Sequence, residues 1–168
     1  MKTVYLLRHA KSSWEDPSLD DADRPLAPRG REAATRIAAH MRERGIAPQL
    51  VICSPALRAR QTLEGLGDAI GDARVEIEPT IYDAHESDLL EALRKVEPEV
   101  ESTMMIGHNP SMERLALLLA AEGTLLDELR RKYPTGALAT LTFDVADWGE
   151  VKAGDGELTE FVKPRDLG

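Results

Sequence analysis

Short apolar runs alternate along this chain with longer segments in which apolar residues recur every three or four positions. Thr3 to Leu7 reads as a buried strand, as do Leu50 to Cys53 and Thr103 to Ile106. Val75 to Ile81 alternates apolar and polar side chains, interrupted by Pro79, and Ala137 to Val145 alternates as well. Val151 and the tail after it offer a further edge strand. Gly30 to Arg44 carries Ala34, Ile37, Ala38 and Met41 at helical spacing, and Gly45 supplies a stop. A second helix is expected from Ser54-Pro55 to about Leu63, its end loosened by Gly65 and Gly67. A third runs from Asp88 to Val96 on Leu89, Leu90 and Leu93, and a fourth from Asn109-Pro110 through Met112, Leu115, Leu118 and Leu119. Ser-Pro and Asn-Pro read as one start signal, a capping side chain followed by a ring that fits the first helical position.

Strands alternating with helices predict an α/β fold, a three-layer αβα sandwich around a mostly parallel central sheet. The order of the strands is not readable. No internal repeat, low-complexity tract or linker interrupts the pattern, and residues 1–168 are expected to form one domain, long enough for a genuine core.

Charge narrows the partners. The 21 basic residues are outnumbered by 30 acidic ones, a formal net charge of -9, which argues against nucleic acid or an anionic membrane as the main partner. It also makes any gathering of cations at one place a sign of anion binding. Cys53 is the single cysteine, so no intramolecular disulfide can form; it reads as a small buried hydrophobe in a reducing compartment. No stretch approaches the roughly 20 apolar residues of a membrane span. The first apolar stretch stops at Arg8, too short for a secretory signal. A cytoplasmic location is expected.

Chemistry enters where the strands end. Val4-Tyr5-Leu6-Leu7 runs straight into Arg8-His9. Leu50 to Cys53 runs into Ser54-Pro55, with Arg58 one turn further on, and Thr103 to Ile106 runs into Gly107-His108-Asn109. If these strands are parallel, their carboxyl ends share one edge of the sheet, where open α/β proteins bind ligands. Two Arg, two His and two helix amino termini then converge on what is best filled by a phosphoryl group: guanidinium forks match phosphate oxygens, and imidazole can attack or shuttle a proton.

These residues resemble the histidine phosphatase superfamily, the phosphoglycerate-mutase-like fold. Leu7-Arg8-His9-Ala10 is similar to its Arg-His signature, Ser54-Pro55-Ala56-Leu57-Arg58-Ala59-Arg60-Gln61-Thr62 to its Ser-Pro-x-x-Arg-x-x-Gln-Thr helix start, and Gly107-His108-Asn109-Pro110 to its second-histidine motif. Arg24-Pro25-Leu26 with Gly30 adds a fourth match. The motifs come in family order over nearly the whole chain. Its length and the run Arg8-His9-Ala10-Lys11-Ser12-Ser13-Trp14 are most similar to the SixA-type phosphohistidine phosphatase branch. The resemblance implies that His9 is the nucleophile and that Arg8, Arg58 and His108 hold the phosphoryl oxygens, without a metal or other cofactor. Ser12 and Asn109 are further candidates for phosphate contact, their plainer readings being a hydrated loop serine and a helix cap. Gln61 and Thr62 read as structural.

An ester substrate would need an acid to protonate the leaving oxygen. Relatives acting on esters often carry a carboxylate after the third strand. The matching segment here offers Asp83, with Glu86 as fallback, and a turn-shaping role for Asp83 stands equally open. A P–N bond asks less of an enzyme acid. The short Ile81–Leu89 segment leaves no room for a lid, so an open site presented to a phosphorylated protein is expected, a histidine phosphotransfer domain being one such partner. The alternatives are a phosphatase for small phosphomonoesters and a non-catalytic phosphate-binding module, which would not need both histidines. His40 and His85 read as surface residues, Trp14 as packing on the loop after the first strand, Trp148 as lying near the last sheet edge, and Asp127 to Lys132 as a solvated face.

Overall fold

In the computed structural model, which describes residues 1–167, the first apolar run forms β1 (Lys2–Arg8). Its side chains alternate between two apolar layers: Val4 and Leu6 face one, Leu7 the other. The remaining elements follow as α1 (Pro28–Arg44), β2 (Leu50–Cys53), α2 (Leu57–Leu66), β3 (Arg74–Ile77), α3 (Glu86–Arg94), β4 (Ser102–Gly107), α4 (Ser111–Leu119), α5 (Leu125–Arg131), β5 (Leu138–Phe143) and β6 (Glu157–Val162). The six strands form one sheet in the order β3-β2-β4-β1-β5-β6. β3, β2, β4 and β1 are parallel neighbours, while β5 pairs antiparallel with β1 and β6 antiparallel with β5. β5 is therefore the one strand that runs against the rest.

Helices cover both faces, giving the expected three-layer α/β sandwich. Ile37, Ala38 and Met41 of α1 and Ala59 and Leu66 of α2 pack on Leu7, Val51, Cys53, Met104 and Ile106. On the other face, Leu89 and Leu93 of α3, Met112, Leu115 and Leu119 of α4, and Leu126 and Leu129 of α5 pack on Val4, Leu6, Ile52 and Met105. Each fully buried Leu or Ile contributes roughly 1.5–3 kcal/mol over leaving it exposed. The two faces together make the near-continuous apolar runs of β1, β2 and β4 stable only as interior strands.

Several local expectations need correction. Ser54-Pro55 does not begin its helix, since α2 starts at Leu57, whereas Asn109 caps α4 (from Ser111) as expected, its Oδ1 accepting from Glu113 N–H at 3.2 Å. Ser54 is fully buried three residues before α2, where its hydroxyl meets His108 and Ala56 N–H and reaches no amide of the helix. The alternating stretch around Val75 splits into a four-residue exposed edge strand and a turn opened by Pro79, which cannot continue a ladder. The charged stretch from Asp127 onward is the solvated face expected, carried mostly by α5, whose Leu126 and Leu129 are buried beneath it. Trp148 does not lie at the sheet edge. It is fully buried, its Nε1–H donates to the Val100 carbonyl at 2.7 Å, and the Lys2 ammonium lies 5.9 Å from its ring. His40 is not simply a surface histidine: its Nε2 lies 2.9 Å from Glu160 Oε1, which fixes α1 against β6. Trp14 is 76% exposed, and its contact is the Arg24 guanidinium, 3.5 Å from the ring centre.

Candidate active site

Strand register sets the site. Arg8 stands opposite Gly107, and Cys53 opposite Ile106, so β1, β4 and β2 end side by side. His9 N–H donates to the Gly107 carbonyl at 3.0 Å and Ser54 N–H to the Ile106 carbonyl at 3.0 Å, carrying that alignment one residue past each strand. The sequence after the strands then needs only one or two residues to bring its functional side chains together. Gly107 leaves room for the tip of Met112, whose Cε would stand 2.8 Å from a Cβ there and would have to shift.

His9 and His108 face each other with ring centroids 5.1 Å apart, and both are nearly buried. His9 Nδ1 lies 2.7 Å from the Ala10 carbonyl. A carbonyl can only accept, so Nδ1 carries the hydrogen and Nε2 keeps its lone pair. Burial pushes the His9 pKa down to about 3, helped by the charges of Arg58 and Arg8 and by the neighbouring His108 and opposed by the Ala10 bond. His9 is thus neutral at physiological pH, with a free nucleophilic nitrogen. Burial, then Arg58, holds His108 at about 4. Its Nε2 is 2.7 Å from Ser54 Oγ, which itself accepts from Ala56 N–H at 3.2 Å. Its other ring nitrogen, Nδ1, is buried and has no protein partner among the described residues.

The guanidiniums are held from behind. Arg58, the second residue of α2, donates from Nη1 to the Asp21 carbonyl at 2.7 Å and from Nη2 to Asp21 Oδ2 at 2.9 Å. Arg24 donates to Ser12 Oγ at 2.7 Å and to Asp21 Oδ1 at 3.2 Å. Arg8 Nη1 and Asn109 Nδ2 both donate to the Tyr133 carbonyl, each at 3.0 Å. The fully buried Tyr133 is in turn anchored through its hydroxyl to the Leu6 carbonyl. Arg8 Nε and Arg58 Nε, both buried, have no partner among the described residues. Cations fixed in direction and partly unsatisfied are preorganised for an anion with several acceptor oxygens.

The loop that carries Lys11 and Ser12 is pinned by the Arg24-Pro25-Leu26 stretch. Ser13 N–H donates to the Pro25 carbonyl, Ala27 N–H to the Lys11 carbonyl, and Leu26 N–H to Gln61 Oε1. Gly30 lets α1 rest directly on this loop: a Cβ there would lie 2.1 Å from the Lys11 carbonyl oxygen. Thr62 Oγ1 accepts from Ala10 N–H at 2.9 Å, which fixes the residue after His9. Gln61 and Thr62 are structural, as their positions suggested.

The resulting cleft, about 570 Å³, is lined by Arg8, His9, Ser12, Arg58, His108 and Asn109 together with Lys11, Trp14, Arg24, Lys132, Pro134 and Thr135. Every sequence-chosen phosphate ligand is present. Asp83 is not: it is exposed, and neither it nor Glu86 lines the cleft. No Asp or Glu is among the lining residues. The carboxylate nearest to Arg58 is that of Asp21, which sequence reasoning did not single out. A hydrogen bond from Tyr82, then the Arg58 contact, lowers its pKa to about 2, against a smaller opposing effect of burial, so it is ionised and acts as a brace rather than an acid. Tyr82 also meets the His108 ring edge-on, centroids 5.6 Å apart. Asp21, Tyr82 and Tyr133 were missed because each acts through a long-range contact. Among the described residues no three His, Cys, Asp or Glu side chains converge as a metal site would require, and no helix is long and apolar enough to cross a membrane.

The family model described as histidine phosphatase superfamily (branch 1) matches residues 4–142. An uncharacterized protein of Mycobacterium tuberculosis is 34% identical over 163 residues, covering 95% of this chain and all of that protein. The phosphohistidine phosphatase SixA of Escherichia coli is 28% identical over 144 residues, 84% of this chain and 85% of that one. A solved structure of the protein histidine phosphatase SixA complexed with tungstate superposes with a TM-score of 0.81 at 25% identity, covering 99% of both chains.

Proposed function

This chain belongs to the histidine phosphatase superfamily and is a SixA-like phosphatase; from that premise we propose that residues 1–168 act as one catalytic domain that hydrolyses phosphohistidine on a protein, without a metal. The observation that carries this reading is a cationic cleft that sets the His9 and His108 imidazoles side by side and is lined by no carboxylate.

His9 Nε2 attacks phosphorus in line with the departing nitrogen. The new P–Nε2 bond forms as the substrate's P–N bond breaks. The substrate imidazole, protonated beforehand on its other ring nitrogen by solvent, takes the bonding electrons and leaves neutral, so no enzyme acid has to deliver a proton. The phosphorylated His9 ring keeps its Nδ1–H on the Ala10 carbonyl, which stabilises the positive ring that attack creates. Arg8, Arg58 and His108 bind the phosphoryl oxygens throughout, and Ser12 and Asn109 complete the rim. Water then attacks the phosphohistidine, releasing phosphate and restoring His9. Positioning and electrostatics are what phosphoryl transfer chiefly requires.

An alkoxide leaving from a phosphomonoester is far more basic than an imidazole, and the cleft offers it no protonated carboxyl group. That disfavours the small-ester reading and leaves Asp83 without a supporting contact for an acid's role. A pure phosphate-binding module would not need a neutral, correctly tautomerised His9. The test is acid-labile label on His9 after mixing with a labelled phosphohistidine protein, with the label lost in His9→Ala. Phosphate bound by the wild type but neither transferred to His9 nor released would overturn the proposal in favour of a binding module.

A further inference from the structure

Beside the cleft lies a second depression of about 600 Å³, which shares Lys11, Lys132, Pro134 and Thr135 with it. It runs between the first half of α1, the turn after α5 and the segment after β6. Lys11, Arg29, Arg36, Lys132, Lys163 and Arg165 line it, against a single acid, Glu32. Six of the chain's 21 basic residues are gathered here with one of its 30 acidic residues. That is a reversal of the chain's overall charge, directly adjoining the phosphate site.

These cations are not consumed by the fold. Lys11, Arg29, Arg36 and Lys132 are exposed, and none lies within 4 Å of a carboxylate among the described residues. Lys163 and Arg165 have only distant partners, Glu128 and Asp166, each at 3.9 Å. Elsewhere the surface arginines Arg42 and Arg74 close on carboxylates at 2.5 and 2.6 Å. Arg29 and Arg36 lie seven residues apart on α1, so their Cα atoms are about 10 Å apart along one face. Charges so dispersed do not form a pocket for one phosphate. They match a string of carboxylates on an extended or helical surface.

We propose that this groove receives an acidic segment of the phosphoprotein substrate, next to the phosphohistidine that enters the cleft. The inference rests on the proposed function and adds the character of the partner's surface. Continuity of groove and cleft is what joins the two: one occupant lies across Lys11 and Lys132 and presents its phosphoryl group to His9. A small polyanion would be held by buried donors aimed at a fixed point, as in the cleft, whereas all of the groove's cations but Lys163 are exposed and long-stemmed. Such charges raise encounter rates and orient a partner more than they bind it tightly, and their effect falls with salt.

The experiment uses the full chain and the double variant Arg29→Glu/Arg36→Glu, both positions exposed and outside the cleft. Hydrolysis of phosphoramidate, a substrate too small to reach the groove, should be unchanged, which also reports an intact fold. KM for a phosphohistidine protein with an acidic face should rise about tenfold or more with kcat little altered. Wild type that hydrolyses both substrates, with the same KM in the variant, overturns the groove while leaving the proposed function standing. Wild type that hydrolyses neither overturns the function, and the groove is then judged by binding alone. There, a fluorescent oligoglutamate peptide should bind wild type at low salt and not the variant. Tripolyphosphate or a single-stranded oligonucleotide binding more tightly than oligoglutamate, with the same dependence on Arg29 and Arg36, would overturn the acidic-segment assignment.

Discussion

Cleft and groove have nearly equal volumes and share four residues, yet their cations are held in opposite ways. In the cleft, Arg58 is 6% exposed and bound twice by Asp21, and Arg8 and Arg24 each donate to protein oxygens. In the groove, the arginines of α1 are exposed and free of ion pairs. Fixed, desolvated charge is strong at short range and suits a transition state; mobile, hydrated charge acts weakly over a longer range and suits an encounter. One continuous cationic surface is thereby divided into a part that performs chemistry and a part that chooses who is presented to it.

The sharpest way to break this division is His9→Ala. Activity should vanish for phosphoramidate and phosphoprotein alike, with no acid-labile label, while oligoglutamate binding by the groove persists. Residual turnover of the protein substrate would mean that the nucleophile lies elsewhere. Arg58→Ala comes next. Removing one preorganised charge from the transition state should cost about 10²- to 10³-fold in kcat, an effect of the kind seen when a single oxyanion donor is lost. Arg58 is also the leading charge that depresses His108, so its removal should raise the His108 pKa from its value of about 4, a shift readable by imidazole NMR. A fall in activity with no change in His108 titration would separate the clamp from the electrostatics of the second histidine.

How much of this was legible depends on how local the signal is. Arg8, His9, Arg58 and His108 sit within a few residues of strand ends whose apolar runs are unmistakable, and parallel register does the rest. The same reasoning failed at Ser54, because the residue that reads as a helix cap in isolation lies three residues before α2, where its hydroxyl meets His108 from another strand. It failed at Asp21, in an irregular loop rich in aspartates, since nothing in Asp20-Asp21-Ala22-Asp23 says which carboxylate will meet a guanidinium 37 residues away. The groove was invisible for a related reason. Its cations come from the loop after β1, from α1, from the turn after α5 and from the tail, four places that no sequence window contains together.

Acid stability offers a gentler test. His9 and His108 have folded pKa values of about 3 and 4, below the unfolded value near 6.5. In that window the unfolded chain binds more protons, so stability present above pH 6.5 is lost progressively as pH falls toward 4 and below. Asp21, lowered to about 2, adds a loss in the same direction, beginning below its ordinary pKa of 3.8. Replacing His9 with Gln should therefore flatten the drop in denaturant midpoint between pH 7 and 4.5, and Arg29→Gln/Arg36→Gln should leave it as in the wild type. Equal slopes in all three proteins would show that the buried imidazoles are not the source.

The smallest expected effect decides the most about the substrate. Asp83 lies in the segment where an ester-cleaving relative would carry its acid, but its side chain is exposed and absent from the cleft wall. Asp83→Asn should change phosphohistidine hydrolysis by no more than about twofold, because a leaving imidazole departs neutral and asks for no proton from the enzyme. If Asp83 nevertheless serves as an acid, the loss will appear selectively with a phosphomonoester whose leaving group is a poorly acidic alcohol, and will shrink as that alcohol becomes more acidic. A steep dependence of that kind would place Asp83 within reach of the leaving group and return the small-ester reading. A flat one would confine the chemistry to the cleft's own residues, all of them cationic or neutral.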